Sequence, residues 1–299
     1  MPTLELFLQG GFGNQLIQQA YACALAERTG SSLRLNPLLL SRAWAQWRQV
    51  THRSRVPWPL PGGRDVSPWP RQWLHFLRLQ WRLRRGSGVL HDGIGDDQAL
   101  SLLRDQRSPS WLPLLGYFQC HQAFAVEAQA FWQALAQHLQ SQHRLQPRPL
   151  DQVVMHVRLG DYLLPQNQQL YALASVEQQL ERAFSWRKQL GSQHPLHVIT
   201  DDPSGFERLC PPGWRSELRL IAGANPQLDF MELIRHRRIV ASNSTFSLCA
   251  GQLSSLLWRE PRPILLPRRW YRDPERDAAQ QQEWRQLKFA ALEPGSIAP

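Results

Sequence analysis

The stretch DQVVMHVRLGDYLL, residues 151–164, contains an apolar run that ends abruptly in polar residues. Residues 153–157 have the length and the β-branched composition of a buried strand. His156, Arg158 and Asp161 lie at or just beyond its end, where ionised groups must pair with one another or bind a ligand. Because ligands of open parallel sheets bind beyond the carboxyl ends of the strands, we expect a binding site here.

Strand and helix patterns alternate along the rest of the chain. An apolar strand at residues 4–8 leads into the glycine turn GGFGNQ (10–15), and a helical pattern over 14–28 ends at Gly30. Further predicted strands cover 196–200, 239–241 and 264–266, and further predicted helices cover 119–143, 176–190, 228–235 and 246–257. Such alternation produces parallel sheets, so we predict an α/β protein of two doubly wound, Rossmann-like domains with a cleft between them.

The length of 299 residues is typical of two domains. The stretch LQPRPL (145–150) has the composition of a linker, which predicts domains at 1–148 and 149–299. A segment rich in proline, tryptophan and arginine, around 40–110, forms a predicted insertion in the first domain. Its residues 57–70 hold five of the 23 prolines and are predicted to be a loop.

The composition is that of a globular, strongly basic protein. Apolar residues make up 42% and charged residues 19% of the chain, which excludes a disordered protein. The formal net charge of +10 favours an anionic partner, which could be nucleic acid, a phosphorylated substrate or a membrane surface. The sequence has no apolar run of 18 residues and no signal-peptide pattern, so we expect a cytoplasmic protein.

The segment RQWLHFLRLQWRLRRG, beginning at residue 71, has the pattern of a basic amphipathic helix over 71–85. Its predicted basic face carries Arg71, Arg78, Arg82 and Arg85, and its predicted apolar face carries Trp73, Phe76, Leu79 and Leu83. One interpretation is a solvated basic face above an apolar face that packs on the core. The other is peripheral contact with anionic lipid on the inner face of the membrane.

Polar stretches follow several predicted strands: GGFGNQ (10–15), HVRLGD (156–161), TDDP (200–203) and ASNSTF (241–246). The first lacks the third glycine of a dinucleotide fingerprint, so it is either a tight turn or a site where backbone amides approach a phosphate or sugar. The last provides three adjacent hydrogen-bonding side chains, which either cap the next helix or bind phosphate. Arg158 either pairs with Asp161 or grips phosphate oxygens.

The sequence offers no metal site and no cofactor motif. Asp201 and Asp202 are adjacent and do not form Asp-x-Asp, so a metal-dependent nucleotide-sugar site of that kind is unsupported. The cysteine and histidine spacings likewise do not match a metal cage.

Taken in order, these stretches resemble the bacterial α-1,2-fucosyltransferases, glycosyltransferase family 11. The matching segments are GGFGNQ, GYFQ (116–119), HVRLGDY, TDD, NSTF (243–246) and PRRW (267–270). The resemblance implies a GT-B-like fold, a first domain on the acceptor side and a second domain that binds GDP-fucose. It also implies metal-independent transfer of L-fucose, with inversion, to the 2-hydroxyl of a galactose-type acceptor, which could be lipid-linked.

The resemblance also implies residue roles. Arg158 and Asp161 are the catalytic candidates. The resemblance places Arg158 on the β-phosphate, and Asp161 is a candidate base because the acceptor hydroxyl must lose a proton. The other donor-binding candidates are His156, Asp229, Asn243, Ser244 and Thr245, and Asp202 is a further candidate without an assigned role. The loop on the acceptor or phosphate side comprises Gly11, Gly13, Asn14 and Gln15.

This chain departs from the family pattern at three places. Leu159 replaces a second arginine, Leu248 and Cys249 stand where a tryptophan pair is usual, and Thr200 replaces a serine. Three rival functions remain open at this point. They are transfer from another nucleotide-sugar on the same fold, recognition of fucosylated glycans without turnover, and nucleic-acid binding. The last is disfavoured because the arginines are dispersed and form no single tract.

Overall fold

The structure, a computed structural model, describes residues 2–40, 66–86, 88–92, 111–143, 150–221, 226–261 and 263–292. Internal contacts divide the chain into two compact units, residues 1–138 and 139–299, here called the amino-terminal and carboxyl-terminal units. Each unit contains a parallel sheet with helices, so the predicted α/β, GT-B-like fold class is confirmed. Of the linker predicted at 145–150, residues 145–149 lie outside the described residues, and Leu150 is the first residue of a strand.

The amino-terminal unit begins with a strand–helix–strand unit. Its strands are β1 (Thr3–Phe7), β2 (Ser32–Asn36), β3 (Leu90–His91) and β4 (Trp111–Leu115), and its helices are α1 (Phe12–Thr29), α2 (Trp69–Arg85) and α3 (Gln129–His143). The strands lie in the order β2-β1-β4-β3, and every pairing is parallel. The apolar strand and the stop at Gly30 are confirmed, since Gly30 caps α1 in a left-handed conformation with φ 61°.

Two predictions about helices in this unit are wrong in part. The helix predicted over 119–143 begins only at Gln129, after 3-10 turns at His121–Phe124 and Val126–Ala128. Ala125, between those turns, is extended (φ −72°, ψ 178°) and interrupts the helical path. The apolar face predicted for 71–85 is also divided, because Phe76 and Leu79 are buried whereas Trp73 and Leu83 are exposed.

The described part of the predicted insertion belongs to the sheet. α2 packs Phe76 and Leu79 against Phe7 of β1, and β3 pairs with β4. Of the loop predicted at 57–70, residues 57–65 lie outside the described residues. No helix in the described parts of the chain combines the length and the apolar character needed to cross a bilayer.

The carboxyl-terminal unit has a six-stranded parallel sheet in the order β10-β9-β8-β5-β6-β7. Its strands are β5 (Leu150–Val157), β6 (Leu196–Thr200), β7 (Leu218–Ile221), β8 (His236–Ala241), β9 (Ile264–Leu266) and β10 (Ala290–Leu292). Its helices are α4 (Pro165–Leu170), α5 (Val176–Gln189), α6 (Pro203–Leu209), α7 (Pro226–Ile234), α8 (Thr245–Trp258) and α9 (Pro274–Arg285). The strand that carries Arg158 at its end, β5, therefore lies between β8 and β6.

The core of this unit contains one pair of imidazoles among apolar side chains. His197 Nδ1 lies 2.7 Å from His236 Nε2, and His236 Nδ1 lies 2.9 Å from the Glu232 carbonyl oxygen. Since Nδ1 of His236 must donate to that carbonyl, its Nε2 accepts, and the ring is neutral. Burial lowers the pKa of His236 from 6.5 to about 3 and outweighs the hydrogen bond to the Glu232 carbonyl, which acts in the opposite direction.

We predict that the protein loses stability in acid partly through His236. Between pH 6.5 and about 3 the unfolded chain binds a proton at this residue that the folded chain does not. The free energy of unfolding should therefore decrease as the pH is lowered, by about 1.4 kcal/mol per pH unit for one imidazole. Urea unfolding at a series of pH values should show that the free energy of unfolding depends less steeply on pH in His236→Gln than in the wild type. The exposed His194, replaced by Gln, is the control, and equal slopes for the wild type and His236→Gln would contradict the prediction.

Candidate active site

The strand order of the carboxyl-terminal unit brings most of the polar motifs to one edge. β9, β8, β5 and β6 are neighbours and run in the same direction, so their carboxyl ends lie side by side. PRRW follows β9, the NSTF segment follows β8, HVRLGD spans the end of β5, and Asp201 follows β6. The sheet therefore assembles one polar edge from segments more than 100 residues apart in sequence.

The guanidinium of Arg158 is held by two carboxylates at this edge. Its Nη2 lies 2.6 Å from Asp161 Oδ1, and its Nη1 lies 2.9 Å from Asp201 Oδ2. Burial alone would lower the pKa of Arg158, but the charges of Asp201 and Asp161 outweigh it and raise the pKa. The Arg158 side chain remains 29% exposed, so solvent and ligands reach it. A guanidinium has five N–H donors, and these two contacts leave others for a ligand.

Of the two adjacent aspartates, Asp201 belongs to this cluster and Asp202 does not. Asp201 Oδ1 also accepts the backbone N–H of Leu159 at 2.8 Å. Asp202 instead caps α6 by accepting the Gly205 N–H at 2.9 Å. The sequence analysis named only Asp202 as a candidate site residue. The position of Asp201 directly after a strand is the signal that could have identified Asp201 instead. A Cβ at Gly160 would stand 2.3 Å from Asp201 Oδ2, so the close approach of this carboxylate requires glycine.

Two further residues that the sequence did not single out fasten the loop after β5. The Ser242 hydroxyl accepts the backbone N–H of Arg158 at 3.2 Å. The Tyr162 hydroxyl donates to the Asn243 carbonyl oxygen at 2.6 Å, and its ring stacks on Tyr171 at 4.7 Å. Burial, and then Tyr171, raise the pKa of Tyr162, which keeps its hydroxyl protonated as a donor. The loop that carries Arg158 is thus bound directly to the turn after β8.

Asn243 links the NSTF segment to PRRW. Its amide nitrogen lies within hydrogen-bonding distance of three carbonyl oxygens, those of Ala172 (3.2 Å), Arg269 (3.0 Å) and Trp270 (2.9 Å). The side chain is 2% exposed, so this network is its observed role, while contact with a donor substrate stays a prediction. Ser244 occupies the N-cap position of α8, but its hydroxyl makes no cap hydrogen bond. Thr245 is the first residue of that helix.

His156 lies beneath the edge. It is 4% exposed, its Nδ1 is 2.6 Å from the Ser247 hydroxyl, and its ring stacks on Phe246 at 5.1 Å. Burial, and then the charge of Arg158, lower the pKa of His156 to about 3, so the ring is neutral. Phe246 also makes an edge contact of 5.1 Å with Phe230. Asp229, beside Phe230 in the first turn of α7, is half-buried.

A further guanidinium that the sequence did not single out lies at the end of β8. Arg182, on α5, donates from Nη2 to the carbonyl oxygen of Ala241 at 3.0 Å. Ala241 is the last residue of β8 and pairs in register with His156 of β5. The carboxyl-terminal unit therefore holds a second arginine at the strand end that precedes the NSTF segment.

The amino-terminal unit has its own polar edge, where β1 and β4 end next to each other. The Asn14 side-chain oxygen accepts from Gln119 Nε2 at 3.0 Å, which joins GGFGNQ to GYFQ. Gln15 is fully buried and donates to the Gly10 carbonyl oxygen at 2.9 Å. Gly10 has φ +75°, and a Cβ there would stand 2.8 Å from Tyr117. The turn therefore requires glycine at position 10.

The other loop of this edge is fastened by Asp92, which the sequence did not single out. Its carboxylate accepts the backbone N–H groups of Tyr117 (2.7 Å) and Phe118 (2.6 Å). Phe118 adopts φ 49°, which is unusual for a residue with a side chain, and its ring stacks on Tyr21 at 4.6 Å. Gly11 is the N-cap residue of α1, and Gly13 is buried in its first turn.

Within the described residues, no group of three or more His, Cys, Asp or Glu side chains is arranged to hold a metal ion.

No protein-family model matches the chain, and no curated protein matches it. Solved structures of similar fold include a variant of Arabidopsis thaliana FUT1 in complex with GDP. It is 12% identical over 85% of this chain and 69% of its own, with a TM-score of 0.50.

Two weaker structural similarities are POFUT1 and NodZ. POFUT1 in complex with GDP is 12% identical over 89% of this chain and 98% of its own, with a TM-score of 0.47. The alpha-1,6-fucosyltransferase NodZ from Bradyrhizobium, with GDP, is 16% identical over 88% and 93%, with a TM-score of 0.44. At these identities the similarity establishes the fold alone.

We predict that Asn243→Ala destabilises the protein by about 2–3 kcal/mol, because buried carbonyl oxygens lose their donor. Asn243→Asp should lower the free energy of unfolding further, because a carboxylate at this position would face the same carbonyl oxygens and repel them. Urea unfolding monitored by tryptophan fluorescence measures both. Asn167→Ala is the matched control, because its amide donates to a single carbonyl, that of Asp161, and should cost about 1 kcal/mol. A loss for Asn243→Ala no greater than for Asn167→Ala would contradict the proposed network.

Proposed function

We propose that this chain is an inverting, metal-independent glycosyltransferase that moves L-fucose from GDP-fucose to the 2-hydroxyl of a galactose-type acceptor. The observation that carries the proposal is the position of Arg158, at the end of β5 and bound through its loop to the turn that opens α8. Two further points support it. Four of the six motifs that resemble family 11 (HVRLGDY, TDD, NSTF and PRRW) lie at this edge, and the FUT1 structure of similar fold contains GDP.

The proposed reaction breaks the bond between fucose C1 and the β-phosphate oxygen of GDP-fucose. It forms a bond from the acceptor oxygen to C1 on the opposite face, and the acceptor proton passes to a carboxylate. The departing GDP gains negative charge, which the remaining N–H donors of Arg158 and the amino terminus of α8 neutralise. One preorganised group of this kind is typically worth about 3 kcal/mol, or ~10²-fold in rate.

Asp161 and Asp201 have different parts in this proposal. Asp201 orients the guanidinium, because it binds Arg158 and the backbone of the next residue together. Asp161 accepts the proton of the acceptor hydroxyl. The cluster of one guanidinium and two carboxylates carries a net charge of about −1. When one carboxylate takes up the proton, the cluster becomes neutral and repels the departing GDP less.

The residue after Arg158 is leucine, so a second cation must come from elsewhere. We assign this role to Arg182, whose guanidinium lies at the end of β8. The donor would also contact Ser244 and Thr245 at the start of α8 through its phosphates, and Asp229 through the guanine edge. His156 supports this surface from below as a neutral ring.

The acceptor is assigned to the edge of the amino-terminal unit formed by Asn14, Gln119 and Tyr117. These side chains carry amides and a hydroxyl, which are the groups that bind sugar hydroxyls. Burial, and then Asp92, raise the pKa of Tyr117, so its hydroxyl remains protonated at neutral pH.

A donor and acceptor screen tests the proposed activity. Thermal-shift measurements should show stabilisation by GDP and GDP-fucose, and none by UDP-sugars at the same concentration. Transfer should occur to a galactoside and fail with the 2-deoxygalactoside, which lacks the attacking hydroxyl. Stabilisation by GDP-mannose with transfer of mannose would instead support another nucleotide-sugar transferase. Binding of fucosylated product without release of GDP would support a glycan-recognition protein.

Substitutions at Arg158 test the mechanism. We expect Arg158→Ala to abolish measurable transfer, a loss of ~10²-fold or more, and Arg158→Lys to retain little activity because the two-pronged guanidinium fork is lost. Initial rates of GDP release with saturating acceptor measure both. Arg208→Ala, an exposed arginine of the same unit, should leave the rate unchanged.

The same assay separates the two carboxylates. Asp161→Asn should lower kcat, because the proton acceptor is lost. Asp201→Asn should weaken binding of GDP as well, because the guanidinium loses its orientation. Near-normal transfer by purified Arg158→Ala would refute the central role of the arginine, and unchanged turnover of Asp161→Asn would exclude it as the base.

A further inference from the structure

The outer surface of α2 is apolar and exposed. The exposed fractions are 41% for Trp73, 47% for Leu74, 62% for Leu77 and 53% for Trp81. At 100° per residue these four side chains lie on one side of the helix. Gln72 and His75, which are polar, lie on the opposite side and are buried together with Phe76 and Leu79. The helix thus buries two polar side chains beside two apolar ones and exposes four large apolar side chains, whereas an amphipathic helix usually exposes its polar face.

A buried carboxylate holds α2 in this orientation. Glu5, in the middle of β1, is 0% exposed. Its Oε1 accepts from Asn36 Nδ2 (3.0 Å) and the Ser67 hydroxyl (2.8 Å), and its Oε2 accepts from the Trp111 indole. His75 of α2 contributes Nδ1 at 2.5 Å from Oε2.

Gln72 extends this network to the segment before α2. The Gln72 side-chain Nε2 donates to the Ser67 carbonyl oxygen at 2.7 Å, and the backbone carbonyl oxygen of Gln72 accepts from Asn36 Nδ2 at 3.3 Å. Turning α2 to bury Trp73, Leu77 and Trp81 would take His75 away from the fully buried Glu5 and would break the hydrogen bonds of Gln72. The exposed apolar surface is therefore specified by the fold.

The charge on α2 has one sign. The helix contains five arginines and no acidic residue, and the arginines are Arg71, Arg78, Arg82, Arg84 and Arg85. Arg82 turns inward and donates to the Gly88 carbonyl oxygen at 2.7 Å, whereas the other four are exposed. Arg85 stacks its guanidinium 3.8 Å above the Trp81 ring. Positive charge therefore flanks the exposed tryptophans and leucines.

We propose that this surface of α2, defined by Trp73, Leu74, Leu77, Trp81, Arg78, Arg84 and Arg85, docks the protein on an anionic lipid surface. Tryptophan and leucine enter the boundary between headgroups and acyl chains, while arginines reach the lipid phosphates. Charge complementarity favours this partner, since no carboxylate on α2 opposes an anionic headgroup. A second copy of the chain fits poorly, because a two-fold contact would bring the same arginines together.

Vesicle flotation with the full-length protein tests the proposal. We expect binding to vesicles of phosphatidylcholine with phosphatidylglycerol, weakened by salt, and none to phosphatidylcholine alone. Replacing Arg78, Arg84 and Arg85 by Gln should weaken binding roughly 100-fold, at about fivefold per arginine. Replacing Trp73, Leu77 and Trp81 by Ser should abolish it. Two controls in the carboxyl-terminal unit should bind like the wild type: Arg208, Arg219 and Arg285 replaced by Gln, and Leu190 and Leu209 replaced by Ser.

Other outcomes would overturn the proposal. They are the absence of binding to anionic vesicles at low salt, equal binding by both α2 variants and the wild type, or binding to phosphatidylcholine alone. A large loss of unfolding free energy in the Trp73, Leu77 and Trp81 variant would show that the surface is packed inside the protein. Dimers in solution that this variant dissociates would assign the surface to a second copy. None of these measurements depends on the proposed transferase activity.

Discussion

The pairing of one guanidinium with two carboxylates is the constraint on which the carboxyl-terminal unit depends. Arg158 and Asp161 come from one loop, whereas Asp201 comes from the end of the neighbouring strand, so the cluster forms only when β5 and β6 pair in register. Two carboxylates fix the plane of the guanidinium, which reduces the conformational freedom that a bound ligand would otherwise have to remove. Gly160 makes this possible, because any side chain there would displace Asp201.

Buried polar side chains position the loops of both units in the same way. Gln18 clamps the backbone N–H and carbonyl of Gln9 before the glycine turn, and Asn243 holds the backbone of PRRW. Each uses side-chain donors or acceptors to satisfy backbone groups at the end of a strand, where ladder hydrogen bonds have ceased. Glu5 instead positions α2 through contacts with side chains. The polar edges are therefore rigid because buried amides and carboxylates replace the missing sheet partners.

The sequence predicted those elements whose signal is local. β6, β8 and α8 are apolar runs with clear boundaries, and their observed limits agree with the predicted ones within a few residues. β4 escaped prediction because Pro113 interrupts its apolar pattern, although it pairs with β1. Asp201 directly follows β6, but its contact with Arg158 depends on the pairing of β6 with β5, which the local sequence does not encode. The orientation of α2 depends on Glu5, 70 residues away from His75, which no local pattern encodes.

Leu159 is the departure from the family pattern for which the structure gives a physical reason. Its side chain is 5% exposed and packs in the apolar cluster that contains Met155, Val157 and Leu180. A guanidinium at this position would be buried among apolar side chains, which is costly unless the charge is paired. Leucine therefore stabilises the strand that presents Arg158. A second positive charge at this edge comes from α5, where the half-buried Arg182 donates to the Ala241 carbonyl oxygen at the end of β8.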